Sequence, residues 1–249
     1  MLYEFIIVVF LGLVFGSFIS CASYRLPLGV GVVRKPSYCP NCNNKLGFKD
    51  LFPLFSWLLS GGKCQYCATK ISIRYPLIEL STALIFVFLY SRYGLSVEFT
   101  LLALMAVMLT IMIIVDLEHF IIPDSVHLIL TPLALAYHYV NDSLSIDILW
   151  SFGTMTALAL ALHYGYSYLR GRIMLGFGDV KFFMVAGLWL SVAALPVFLF
   201  LVGIFGVMLG LLWRLLKKGE IFPFGPALAV ALFMCIVYPN IFNIMYFMR

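Results

Sequence analysis

Charge is what this sequence lacks most. Of 249 residues only 16 are Lys or Arg and 11 are Asp or Glu, so charged residues make up 11%, against about 25% in soluble domains. A soluble globule of this size could not cover itself with so few charges. A soluble enzyme, a disordered chain and a nucleic-acid binder working through a basic surface are therefore excluded. Histidine is also scarce: His119, His127, His138 and His163 share no metal-ligand spacing and receive no role. No basic segment leads the first apolar run, so no cleavable signal is expected. Phosphate-binding glycine loops are missing too, because Gly171 and Gly176 belong to a membrane re-entry and not to a strand–helix turn.

What is present is apolar. Hydrophobic residues make up 63% of the chain, in runs near 5–23, 76–91, 98–115, 125–140, 148–168, 180–193, 195–213 and 226–246. They predict an all-α polytopic membrane protein with about eight transmembrane helices. The cations sort between the runs. Arg25, Arg34, Lys35, Lys45, Lys49, Lys63, Lys70 and Arg74 fall in the first loop against one acid, Asp50. Arg170, Arg172 and Lys181 fall in the fifth connection, and Arg214, Lys217 and Lys218 in the seventh. Only Arg92 and Arg249 lie on the other side. By the positive-inside rule the basic loops are cytoplasmic and both termini are outside. The expected organisation is a first transmembrane helix at 1–23, a cytoplasmic zinc-binding loop at 24–75 and a transmembrane domain at 76–249.

The loop carries Cys39-Pro-Asn-Cys42 and Cys64-Gln-Tyr-Cys67, with 21 residues between the pairs. Two such knuckles can bring four thiolates to tetrahedral Zn²⁺. Two disulfides are the alternative, and a cytoplasmic setting favours the metal. Four thiolates leave no open position for catalysis, so the zinc is read as structural. Cys21 and Cys235 lie on apolar runs and are expected to be small core residues. Phe52-Pro53, Phe55, Trp57, Leu58 and Leu59 suggest a membrane-hugging segment with a short interfacial helix. Gly203, Gly206 and Gly210 suggest close helix contacts.

The eleven acids can be taken one by one. Glu4, Glu98, Asp142 and Asp147 read as outer interfacial charges, and Asp50 and Glu220 as solvated. Glu79, Asp116, Glu118, Asp124 and Asp179 lie in apolar surroundings, where an ionisable group is costly and is a functional candidate. Asp116 ends the third run. Pro123 breaks the helix after it and Asp124 starts the next. Asp179 closes Gly176-Phe177-Gly178-Asp179, whose glycines permit irregular backbone. Asp116 and Asp179 thus fall at one face and similar depth. Two such carboxylates can share a proton, one activating water and the other protonating a carbonyl oxygen. Helix capping, or a proton or cation path, is the competing reading. Lys181, two residues past Asp179, either favours its ionised form or snorkels to lipid phosphates. Glu79 is expected to find a partner in Arg74 or a loop cation, as a structural ion pair or in a methyl-transfer role.

Ordered motifs run through nearly the whole chain: Gly16-Ser17-Phe18, Tyr24-Arg25-Leu26-Pro27, the double CxxC, Phe55-Ser56-Trp57-Leu58, Ser72-Ile73-Arg74-Tyr75-Pro76-Leu77-Ile78-Glu79, Asp116-Leu117-Glu118-His119 with Ile122-Pro123-Asp124, Gly176-Phe177-Gly178-Asp179-Val180-Lys181 and Pro223-Phe224-Gly225-Pro226. In these the sequence resembles the type IV prepilin peptidases, membrane aspartyl proteases of the GxGD kind. The resemblance implies that 76–249 is an aspartyl peptidase domain with Asp116 and Asp179 catalytic. It implies supporting roles for Gly176, Gly178, Lys181, Pro123, Asp124 and Glu79, and prepilin or pseudopilin precursors as substrates. It further implies N-methylation of the new amino terminus with S-adenosylmethionine, the zinc loop being a feature of the longer, bifunctional bacterial members. The expected setting is the bilayer of the bacterial inner membrane, with the active site at its cytoplasmic face and no nucleic-acid partner. Two departures stand out. The segment Ile19-Ser20-Cys21-Ala22-Ser23 lacks the usual Asn, and Glu118 stands where many members have a second Asp. Competing functions are a transporter or channel using the same acids, disfavoured by the absence of visible internal repeats, and a methyltransferase without protease activity.

Overall fold

The computed structural model describes residues 2–32, 36–165, 168, 175–216, 219 and 221–239. Arg34, Lys35, Arg170, Gly171, Arg172, Lys217, Lys218, Glu220 and Arg249 lie outside these residues. Among the described residues the chain is all-helical, apart from isolated β-bridges pairing Tyr38 with Lys45 and Lys63 with Lys70. The helices are α1 (Leu2–Arg25), α2 (Phe55–Leu59), α3 (Arg74–Tyr93), α4 (Val97–His119), α5 (Asp124–Val140), α6 (Ile146–Leu160), α7 (Phe177–Trp189), α8 (Leu195–Leu215) and α9 (Gly225–Val237). A π-turn at Ala161–Gly165 extends α6. Among the described residues, each apolar run read from the sequence contains a helix, and the segment between the knuckles contributes the short α2.

Among the described residues, four segments are long and apolar enough to cross a membrane: Leu2–Arg25, Val97–His119, Ile146–Gly165 and Val192–Leu215. The 24 residues of α1 reach about 36 Å at 1.5 Å per residue, more than a hydrocarbon core of about 30 Å. By contrast, α7 and the described part of α9 have 13 residues each and extend only about 20 Å.

The chain forms two compact units, Met1–Ile111 and Met112–Arg249. In the first, α1 packs along α3. A Cβ on Gly12 would lie 2.5 Å from Ala83 Cα, and one on Gly16 would lie 2.5 Å from Glu79 Cα. The two backbones therefore touch, in the small-xxx-small manner of membrane helix pairs. Phe15 and Phe86 close the same seam with ring centroids 5.6 Å apart. At one end the Tyr90 hydroxyl donates to Glu4 Oε2 at 2.7 Å, and at the other Arg74 Nη2 donates to Ser23 Oγ at 2.8 Å.

In the second unit α7 packs against α5, α6 and α9, and α8 packs on α9. Phe182, Trp189, Phe198 and Leu228 fill its core. The Trp189 indole N–H donates to the Leu130 carbonyl at 3.1 Å, which satisfies its one polar atom in an apolar interior. Gly206 and Gly210 lie under the rings of Phe224 and Phe222, while a Cβ on Gly203 would meet open space. The close contact expected of these glycines is thus an aromatic one, made at two of the three. Pro123 acts as predicted. Phe120 takes a positive φ of 58°, residues 121–123 are non-helical, and α5 starts at Asp124.

Candidate functional site

Asp116 occupies the last turn of α4 and is buried, only 5% exposed. Gly225 opens α9, and its N–H donates to Asp116 Oδ2 at 2.7 Å. The first N–H groups of a helix have no partner within it, and they carry the positive end of its dipole. The head of α9 is thus a ready-made holder for one carboxylate oxygen. A side chain at residue 225 would not fit: its Cβ would sit 2.8 Å from that same oxygen.

Asp179 is held in a parallel way. Gly176 caps α7, and its N–H donates to Asp179 Oδ2 at 3.1 Å. Gly178 faces the bend before α5, where an added Cβ would come within 3.2 Å of Ile122 Cβ. This second glycine lets the GxGD turn close on the Ile121-Ile122-Pro123 segment. Asp116 and Asp179 lie close enough for their charges to interact. Among the described residues, the other oxygen of each has no hydrogen-bond partner.

Lys181 does not serve Asp179. Its ammonium pairs with Asp124 Oδ1 at 2.6 Å and lies 5.6 Å from the Phe177 ring centre. The reason is geometric: residues two apart on a helix point away from each other. His127, one turn into α5, is buried and packs edge-on to Phe182, near enough to Asp124 and Lys181 to feel their charges. Sequence reasoning gave it no role, since a lone histidine on an apolar helix carries no pattern. The part played by Gly225 was also missed. Its signal was the Gly-Pro pair at the head of the last apolar run, a helix-start signature.

In the N-terminal unit the four loop cysteines converge. The sulfurs of Cys39, Cys42, Cys64 and Cys67 all lie within 4.8 Å of one another, and Cys39 Sγ is 3.9 Å from Cys67 Sγ. Tetrahedral bonds of about 2.3 Å put thiolates roughly 3.8 Å apart, so this group could hold a metal ion. The knuckles repeat one design. Asn43 and Ala68 both take φ of 57°, and their N–H groups donate to the carbonyls of Cys39 and Cys64, each at 2.9 Å. Asn41 Nδ2 donates to Cys67 Sγ and to Thr69 Oγ1. Hydrogen bonding with Thr69, by hydroxyl and backbone, and then with Asn41 pulls the Cys67 thiol down to about 6, toward the thiolate a metal needs.

Glu79 departs from expectation. Its partner is not Arg74 or a loop cation. Glu79 Oε2 accepts the Leu54 N–H at 2.7 Å. Cys21 is also corrected: it lines a cavity instead of filling a core, whereas Cys235 is buried as expected.

Two family profiles match the chain: the Bacterial Peptidase A24 N-terminal domain over residues 10–93 and the Type IV leader peptidase family over residues 102–211. Among curated proteins it is similar to the prepilin leader peptidase/N-methyltransferase of Neisseria gonorrhoeae, 32% identical across 89% of this chain and 86% of the relative. It is also similar to the proteins of that name from Pectobacterium carotovorum subsp. carotovorum (30%, covering 88% of each chain) and Bacillus subtilis strain 168 (30%, covering 91% of each). No solved structure matches. Identity at this level, sustained over most of both chains and joined to both profiles, settles kinship: the chain belongs to the type IV leader peptidase family.

Proposed function

We propose that the protein is a membrane-embedded aspartyl endopeptidase that cleaves the leader of prepilin or pseudopilin precursors and N-methylates the new amino terminus. One observation carries the peptidase reading. Asp116 and Asp179, within each other's electrostatic reach, each have one oxygen fixed by a backbone N–H and the other without a partner. That arrangement suits general acid–base work, because the fixed oxygen sets orientation and the second remains for substrate. Two carboxylates whose charges interact ionise unequally, which leaves one charged while the other keeps its proton. The ionised one takes a proton from water, and the protonated one donates to the oxygen of the scissile amide. The peptide bond then breaks without a metal. Lys181 and Asp124 brace the start of α5 against α7 beside the pair.

The proposed topology has eight spans, with residues 24–75 and the later basic loops cytoplasmic and both termini outside. It rests on the cation distribution together with the four long apolar segments. The active site then lies at the cytoplasmic face of the inner membrane, where a basic leader would remain. Zn²⁺ is proposed for the four cysteines, as a staple for a loop too small to build a core. S-adenosylmethionine supplies the methyl group.

The test is cleavage of a precursor by purified protein, with product masses read with and without S-adenosylmethionine. Asp116→Asn and Asp179→Asn should each abolish cleavage while the protein still accumulates in membranes. Wild-type cleavage by either variant would overturn the assignment.

A further inference from the structure

A histidine outside the aspartate pair holds the turn on which Asp179 stands. His163 lies at the centre of the π-turn Ala161–Gly165 that extends α6. Single π-turns of this kind recur at functional sites. The His163 Nδ1 lies 2.8 Å from the carbonyl oxygen of Leu175, twelve residues further on. A carbonyl oxygen can only accept, so Nδ1 carries the proton and donates it. The ring also meets Phe177 edge-on, with centroids 5.8 Å apart, and Tyr164 with centroids 4.8 Å apart.

The peptide that receives this bond is the one that serves Asp179. Leu175 supplies its C=O and Gly176 its N–H, and that N–H donates to Asp179 Oδ2 at 3.1 Å. A peptide unit is planar, so its carbonyl and its N–H cannot turn independently. A donor clamped on the oxygen therefore fixes the direction of the N–H on the far side. The two bonds also polarise each other through the amide, which tightens the hold on the carboxylate. This peptide needs such a clamp more than its counterpart at Asp116 does. There the Phe224 carbonyl accepts the N–H groups of Ala227 and Leu228, at 3.1 and 3.3 Å, so α9 itself holds the peptide that ends in the Gly225 N–H. Gly176 is extended, with φ −63° and ψ 150°, and stands outside α7. Among the described residues no backbone N–H reaches the Leu175 carbonyl, and His163 takes that place.

We propose that His163 is a positioning residue for cleavage, aiming Asp179 through the Leu175–Gly176 peptide. The proposal rests on the reading of Asp179 as a catalytic acid–base group. His163 exchanges no proton in the reaction. Its part is to keep Oδ2 fixed, so that the other oxygen of Asp179 meets the substrate at a constant angle. The clamp works with a neutral or a charged ring, because the Nδ1 tautomer and the imidazolium both carry the Nδ1 proton.

Two substitutions separate the hydrogen bond from the packing. His163→Phe keeps a ring against Phe177 and Tyr164 but has no donor. His163→Asn loses the ring, yet its side-chain amide can donate from the place of Nδ1–H. With purified full-length protein and a precursor, His163→Phe should lower kcat roughly tenfold, because a misplacement of about 1 Å costs on the order of 10²-fold and a loosened carboxylate moves less. KM should stay within about twofold, since the lost interaction is not a binding contact. His163→Asn should keep kcat within about threefold of wild type, because it restores the donor. Nitrogen NMR of histidine-labelled protein, with the signal assigned by its loss in His163→Asn, should show Nδ1 of His163 protonated. This measurement decides the matter even if His163→Phe fails to fold. A bare Nδ1, wild-type kcat in His163→Phe, a loss carried by KM alone, or equal losses in both variants would overturn the proposal. Asp179→Asn is run beside them. If it cleaved at the wild-type rate, the reading of Asp179 itself would fall, whereas an inactive Asp179→Asn beside a fully active His163→Phe removes only the role of His163.

Discussion

Gly225→Ala is the sharpest probe of the aspartate pair. Gly225 is absent from the residues with positive φ, so alanine fits the backbone there, and the effect must come from space alone. The new Cβ would sit 2.8 Å from Asp116 Oδ2 and 3.1 Å from its Cβ and Cγ. Restoring an ordinary contact of 3.4 Å needs a movement of about 0.6 Å. That movement lengthens the 2.7 Å hydrogen bond that orients the carboxylate. A bond to a charged group contributes about 1.5–3 kcal/mol, and a misplacement of about 1 Å costs on the order of 10²-fold in rate. Cleavage should therefore fall by roughly 10- to 100-fold. Overpacking should also cost about 1–3 kcal/mol of stability, so the loss of rate is compared at matched amounts of folded protein. The assay is the initial rate of precursor cleavage at matched protein amounts, with thermal melting run in parallel. A rate within twofold of wild type would refute the role given to Gly225, as would a loss of activity no larger than the loss of folded protein.

Two further outcomes follow from the N-terminal unit. Gly16→Ala places a Cβ 2.5 Å from Glu79 Cα, so thermal melting should show destabilisation of about 1–3 kcal/mol. The control Gly153→Ala, at a helical position with nothing within 4 Å, should be neutral or stabilising by up to about 1 kcal/mol. Elemental analysis should find one zinc per chain, lost in Cys64→Ser and kept in Cys235→Ser.

The helices were legible because apolar runs of membrane-spanning length have few other ways to satisfy their backbone. Their ends were less so. The run 180–193 predicted a helix beyond Leu190, yet α7 stops at Trp189 and a 3-10 turn at Val192–Ala194 leads into α8. Apolarity continues through the turn, and nothing in composition marks it. The two aspartates stand at helix ends, as the Pro and Gly beside them in the sequence suggested. What holds them was not legible, since backbone donors at Gly225 and Gly176 leave no side-chain pattern. Glu79 shows the same limit. A cation was expected in the loop, but the donor is the backbone of Leu54, brought back by a left-handed residue that no glycine announces.

Oxygens fixed by main-chain N–H groups have a consequence for the tolerance of the site to change. Most single substitutions beside Asp116 and Asp179 replace a side chain and leave the donors at Gly225 and Gly176 untouched. Only proline removes such a donor outright. The walls that meet the substrate can therefore be recut, by selection or by design, while the aim of the two carboxylates is inherited from the course of the chain.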